Sequence, residues 1–239
     1  FGSTIHHTDV GGYGIGAGAR DVFEEGLWIP ICKLMKRGAR NDDVWKFILS
    51  NVREPEHMAG DLHAQMASGE IGAARLNGLL DAHGLADIEH LADEIIVRSE
   101  EATRRAIRAL PGGTYRASST LDLADGSEIE IKVAVTVDPQ KGEILVDYTG
   151  SSGASPAGIN VVKNYTHAYT TFTVRSVLNP DIPNNHGSLA PIKVEAPAGS
   201  IVNAQPPAPC TARHVVGMFL PMPLLQALAQ VLPEAVMAE

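Results

Sequence analysis

The chain has 239 residues, 44% of them hydrophobic, which is enough for a sizeable core in one large or two small domains. With 28 acidic against 19 basic residues the net charge is -9, so no basic footprint for nucleic acid is present, and no run of eighteen apolar residues suggests a membrane span. Two distant cysteines, Cys32 and Cys210, are no disulfide framework; a reducing, cytoplasmic setting is the simpler expectation.

Phe1 to Ile5 reads as the end of a strand that runs into His6-His7-Thr8-Asp9-Val10-Gly11-Gly12. Two imidazoles and a carboxylate within four residues suit zinc, manganese or iron, and the absence of thiolate leans away from a structural zinc knot. The glycines that follow let backbone approach closely. A polar loop with two solvated histidines is the alternative. Gly11-Gly12-Tyr13-Gly14-Ile15-Gly16 has neither the Gly-Lys-Ser/Thr of a phosphate loop nor a strand-to-helix setting.

Asp21 to Leu27 predicts a short helix stopped by Pro30. Asn41-Asp42-Asp43 starts another, with Val44, Phe47 and Ile48 at helical spacing, and 51–55 ends it. From Pro55 to about Leu80 the apolar residues Leu62, Met66, Ala73, Leu76 and Leu79-Leu80 recur at three and four, and His83-Gly84 is a natural stop. Residues 86–110 form the strongest helical pattern. Ile88, Leu91, Ile95, Ala102, Ala106 and Leu110 trace its expected buried stripe, with Arg98, Glu100, Glu101, Arg104 and Arg105 toward water.

After Pro111-Gly112-Gly113 the period changes to two. Thr114–Asp122 alternates, Ile129, Ile131, Val133, Val135 and Val137 alternate strictly, and Ile144, Val146 and Tyr148 return after a turn at 138–142. Ile159–Leu178 reads as a second buried helix. A strand is expected at Ile192–Glu195, and helix resumes at Ala212 with Pro221 and Pro223 interrupting it. The fold class is α+β, with helical segments flanking an antiparallel β-meander. Residues 1–113 would hold the metal-motif loop and a helical region, and 114–239 the meander and later helices, either as two domains or as one continuous domain.

The opening motif resembles a signature of the hydantoinase B/oxoprolinase family. The likeness continues in order through Phe23-Glu24-Glu25-Gly26-Leu27, Ile29-Pro30, Asn51-Val52-Arg53, Gly60-Asp61-Leu62, Ala64-Gln65 and Leu110-Pro111-Gly112-Gly113-Thr114-Tyr115. It goes on through Val146-Asp147-Tyr148-Thr149-Gly150-Ser151, Ile182-Pro183-Asn184-Asn185-His186-Gly187, Pro191-Ile192-Lys193-Val194 and Pro197-Ala198-Gly199-Ser200. The family's full subunit is longer, so 1–239 would be an internal section. An upstream Gly-Gly-Thr-His-x-x-Asp segment is absent.

The resemblance implies an ATP-dependent cyclic amidohydrolase. A hydantoinase A-type partner phosphorylates the carbonyl oxygen, and the B-type subunit hydrolyses the activated amide at a divalent metal (manganese, zinc or iron), within a hetero-oligomer. His6 and Asp9 are the first-choice ligands. His7 would be a third ligand or an acid/base, Asp61 would orient substrate, and Arg53 would hold an anionic substrate or phosphate. A subunit of an ATP-dependent ketone carboxylase and a non-catalytic assembly subunit are the alternatives.

Each candidate has a plain structural reading. Asp61 would cap a helix and Arg53 would form a salt bridge. Asn184, Asn185 and His186 would form a turn. Cys210, four residues before His214, would be a helix entry rather than a Cys/His nucleophile. Cys32 would be a buried hydrophobe. His57, His83, His90 and His167 have no partners at ligand spacing.

Overall fold

A computed structural model describes Gly2, Thr4 and residues 12–14, 16–123 and 126–236. The chain folds as an α+β protein around a four-stranded sheet. Strands β3 (Gly113–Asp122), β4 (Glu128–Asp138) and β5 (Glu143–Asp147) form the antiparallel meander that the alternation predicts. The fourth strand, β6 (Ile192–Glu195), pairs with β5 in parallel, so the sheet is mixed.

In β4 the five residues Ile129, Ile131, Val133, Val135 and Val137 are all buried, while Glu128 before them and Lys132 among them are exposed. Pairing places Val135 opposite Val146 and Val137 opposite Ile144, and β6 continues the apolar row with Ile192 beside Ile144. This face shares one core with Val174 of α4 (Lys163–Leu178), with Leu224, Ala227 and Leu228 of α7 (Pro221–Ala229), and with Ile107 of α3 (Glu89–Arg108). Tyr148 is buried at the end of β5. Its hydroxyl lies 2.8 Å from Thr170 Oγ1, which itself donates to the Thr166 carbonyl at 2.7 Å, so the tyrosine is the donor.

Helix α3 does not bury its expected stripe. Leu91 and Ile95 are exposed, and Ser99, Thr103 and Ile107 face inward instead. The reason is α5 (His186–Leu189), where a Cβ on Gly187 would stand 1.9 Å from the Ile96 carbonyl oxygen. Backbones that approach so closely leave room only for small side chains. Hydrogen bonds secure the contact: Thr103 donates to the Ser188 carbonyl at 3.2 Å, and Asn185 Nδ2 donates to Ser99 Oγ at 2.8 Å. Arg104, expected in water, is half-buried and pairs with Glu100 (2.8 Å) and Glu143 (3.1 Å). Helix α4 starts at Lys163 rather than Ile159, because Val162 is extended and Val161 N donates to the Ile201 carbonyl outside any helix.

The early part of the chain is built differently. A 3-10 turn (Val22–Glu25) precedes a hairpin of β1 (Met35–Lys36) and β2 (Ala39–Arg40), which hydrophobic periodicity did not reveal. Its turn needs positive φ at Arg37 (52°) and Gly38 (80°). Helix α1 (Asp42–Leu49) buries Trp45 and Ile48. Helix α2 (Pro55–His83) begins on a proline and ends at Gly84 in the left-handed conformation. It runs through Gly69 and Gly72 and buries none of its 29 residues. Cys32 is exposed rather than buried. At the far end, Pro221 begins α7 rather than breaking it, after the short helix α6 (His214–Gly217). Among the described residues no helix is long and apolar enough to cross a membrane.

Candidate functional site

The residues expected to hold a metal, His6 and Asp9, and the acid/base candidate His7 lie outside the described residues. Gly12 and Tyr13, where the motif ends, are held closely. A Cβ on Gly12 would fall 2.3 Å from the Glu24 carbonyl oxygen, and Tyr13 N donates to that oxygen at 3.1 Å. Glycine is therefore required at this position, because the chain lies flush on the 3-10 turn. Asp21 caps this turn by accepting from Phe23 N (2.9 Å) and Glu24 N (3.2 Å). Gly26, with φ 131°, turns the chain away.

The turn is in turn fastened to a distant loop. Glu25 Oε1 accepts from the backbone N–H groups of Cys210 and Thr211, both at 2.5 Å. Val22 N donates to the Pro207 carbonyl (2.9 Å), and Gly158 N donates to that of Ala17 (3.0 Å). Behind this loop sits Asn160, fully buried. Its Oδ1 accepts from Ser155 N at 2.7 Å, and its Nδ2 donates to the carbonyls of Ser155 (2.8 Å), Ala157 (3.0 Å) and Pro209 (2.8 Å). One asparagine thus satisfies several backbone groups that would otherwise be buried unpaired.

Cys210 is no nucleophile here. Burial pushes its thiol up, the Glu25 carboxylate adds to this, and Arg213 opposes it. The thiol points to the Ala208 carbonyl at 3.5 Å, while His214 is exposed. A thiol held protonated in this way, with no imidazole shown beside it among the described residues, is a poor nucleophile toward an acyl carbon. Arg213 instead lies over the Tyr165 ring (5.6 Å), which stacks on Tyr169 at 4.9 Å. Among the described residues Thr211 Oγ1 is buried without a hydrogen-bond partner.

The other candidates lie elsewhere. Arg53 is exposed in the turn between α1 and α2. Asp61 is half-buried in the second turn of α2, so it does not cap that helix, which starts at Pro55. His63, on a different face from Asp61, lies against Trp45 at 4.9 Å between ring centroids. Asn185 caps α5 by accepting from Ser188 N, so the Asn184-Asn185-His186 segment is a structural turn. Beside α1 a cavity of about 290 Å³ is walled by apolar side chains including Trp28, Ile29 and Phe47; it offers contact area but no polar group that could orient an amide. Among the described residues no group of three or more His, Cys, Asp or Glu side chains could hold a metal ion.

The sequence pattern assigns no role to Glu25. The residue stands in a matched string, but the amides it binds are 185 and 186 positions away, a distance over which sequence spacing carries no signal.

A sequence profile of the hydantoinase B/oxoprolinase family matches residues 1–239. The chain belongs to this family. It is 34% identical over 251 residues to a protein of Pseudomonas sp. (strain NS671) named as the B-type subunit of a D-/L-hydantoinase, covering 99% of this chain and 42% of that protein. It is 30% identical to the beta subunit of the caprolactamase of Pseudomonas jessenii, covering 98% of this chain and 41% of that protein. The fold matches the crystal structure of the ATP-dependent caprolactamase from the same organism with a TM-score of 0.85 at 28% identity, over 95% of this chain and 40% of that one. An acetone carboxylase structure shares the fold alone, with a TM-score of 0.81 at 17% identity, over 97% of this chain and 33% of that one. The chain spans about two-fifths of the length of the hydantoinase and caprolactamase subunits it matches.

Proposed function

We propose that this chain works within the B-type subunit of an ATP-dependent cyclic amidohydrolase, together with a hydantoinase A-type ATP-hydrolysing partner in a hetero-oligomer. The supporting observation is the family match over residues 1–239, joined to relatives named as hydantoinase and caprolactamase subunits.

An amide is a poor electrophile because its nitrogen lone pair delocalises into the carbonyl. Phosphorylating the carbonyl oxygen at the partner removes that protection and creates a leaving group. Water then adds to the carbon, the ring C–N bond opens as the nitrogen takes up a proton, and a second water hydrolyses the acyl phosphate so formed to carboxylate and free phosphate.

His6 and Asp9 offer an imidazole and a carboxylate, a donor set suited to manganese, zinc or iron. A divalent ion held there would supply Lewis-acid stabilisation of developing charge. His7, next to that pair, would move the proton between water and the ring nitrogen. Arg53 would hold the phosphoryl oxygens through its paired N–H donors, and Asp61 would orient the substrate amide. Gly12, three positions after Asp9 in the sequence, is pressed on the 22–26 turn. The setting is cytoplasmic, where ATP and free thiols coexist.

His6→Ala and Asp9→Ala in the intact subunit, assayed with its partner, test this reading. Both should lose bound metal by elemental analysis and lose ATP-dependent ring opening, with an unchanged circular dichroism spectrum. Normal turnover in either variant would remove the metal assignment. Turnover that requires bicarbonate would reassign the chemistry to ketone carboxylation. Full activity of both variants with no metal present would leave an assembly role.

A further inference from the structure

We propose that Glu25 is a positioning residue for this reaction. Its carboxylate latches residues 12–26, which follow the His6–Asp9 motif directly in the chain, to the 207–213 loop. The inference rests on the amidohydrolase reading for its kinetic part, but the latch itself stands on geometry.

A short covalent and hydrogen-bonded path joins the motif to the loop. The motif ends at Gly12, and Gly12-Tyr13 is held on the 3-10 turn by the Glu24 carbonyl, at a spacing that no side chain at position 12 would permit. The turn presents Glu25, and one carboxylate oxygen receives two consecutive amides, those of Cys210 and Thr211. Ionised acceptors on paired backbone N–H donors form stronger hydrogen bonds than neutral ones. The receiving loop is itself rigid, because Asn160 binds the Pro209 carbonyl and Ala212 N binds that of Gly158 at 2.7 Å.

Other ties are few among the described residues. Before α3 only Ala19, Trp45 and Ile48 are buried hydrophobics there, so packing alone does not hold this part of the chain in place. The remaining described bridges from residues 12–26 to the body are single backbone hydrogen bonds, Val22 to Pro207 and Gly158 to Ala17. Thr211, whose N–H joins the latch, also has a buried Oγ1 with no hydrogen-bond partner among the described residues. Burying an unpaired hydroxyl is unfavourable, so a looser arrangement would let it reach water. Reacting groups must be held to within about 0.5 Å of the productive geometry, and a misplacement of about 1 Å costs on the order of 100-fold in rate.

The test compares Glu25→Ala and Glu25→Gln in the intact subunit assembled with its partner. Gln keeps an oxygen that can accept from both amides and loses only the charge. Glu25→Ala should lower kcat by about 10- to 100-fold, with KM within about twofold. Glu25→Gln should recover most of that loss. Cys210, freed from its anchor and from the opposing carboxylate, should react with a thiol reagent several-fold faster in Glu25→Ala; Cys32→Ser in both backgrounds isolates this signal.

Unchanged kcat in Glu25→Ala overturns the positioning role, as does a Gln variant as slow as Ala. If the wild-type complex opens no cyclic amide, the functional reading falls and the latch is judged from Cys210 alone. An unchanged modification rate in Glu25→Ala then overturns the latch as well.

Discussion

Two parts of this molecule use helices in opposite ways. Residues from α3 onward enclose a core to which the sheet, α3, α4 and α7 all contribute. The part before α3 contains the longest helix in the described structure, α2, and buries none of it. In the first part position is set by packing, so each residue is constrained by its neighbours. In the second it is set by a few hydrogen bonds and glycine contacts, such as Gly12 on Glu24 and Glu25 on the 210–211 amides. Functional segments are often held in this second manner, since a group fixed by a few discrete bonds can still be adjusted.

A pair of like substitutions gives the sharpest contrast. Gly187→Ala drives a methyl into the Ile96 carbonyl and should cost about 3 kcal/mol, at the upper end of ordinary overpacking. Urea unfolding of the chain reads this directly, and a loss under about 1 kcal/mol would mean that α5 can move off α3.

Next in size is Tyr148→Phe, which removes one buried hydrogen bond to Thr170 and should cost about 1 kcal/mol at neutral pH. The same residue tests alkaline behaviour. Burial raises the pKa of Tyr148 in the folded state, so it resists ionisation there. Its contribution is complete below about pH 10, the unfolded value, and is lost as pH rises from there toward the folded value. The stability of Tyr148→Phe should therefore fall less steeply above about pH 10. Equal slopes would show that the hydroxyl reaches solvent.

The smallest effect has the opposite sign. Gly78→Ala on α2 meets nothing within 4 Å and should gain about 1 kcal/mol at most from helix propensity. That gain should hold in the isolated chain. If it turns into a loss in the assembled complex, α2 is covered there by another surface, and the contrast between the two regions belongs to this chain alone.

These contrasts also explain what the sequence could convey. The alternation from Ile129 to Val137 specifies a strand and its buried face, because a period of two with β-branched residues has few other meanings. The strand at Ile192–Glu195 was legible, but not its parallel pairing, which depends on where the chain returns. The buried face of α3 departs from its apolar periodicity. That periodicity favours Leu91 and Ile95, while the fold buries Ser99 and Thr103 because Gly187 admits only small groups there. The inward face of α4 is hidden by its polar composition, since Thr166, Thr170 and Thr173 satisfy their own hydroxyls by donating to backbone carbonyls. At the candidate site the ordered motifs identified the family, and its profile covers the whole chain. They did not show that Glu25 ties residues nearly two hundred positions apart, because sequence alone does not encode that meeting.

The parallel join of β5 and β6 shapes the order in which the body can form. Strands β3, β4 and β5 are neighbours in sequence as well as in space, so the meander closes short loops. Strand β6 reaches its place only after α4 and α5 have been laid down, and the entropy of closing that loop must be spent before any β5–β6 hydrogen bond forms. Until then β5 is an edge strand that exposes backbone donors and acceptors beside Ile144 and Val146. During synthesis this edge is open to pairing with other chains, and the arrival of Ile192–Glu195 is the step that seals it.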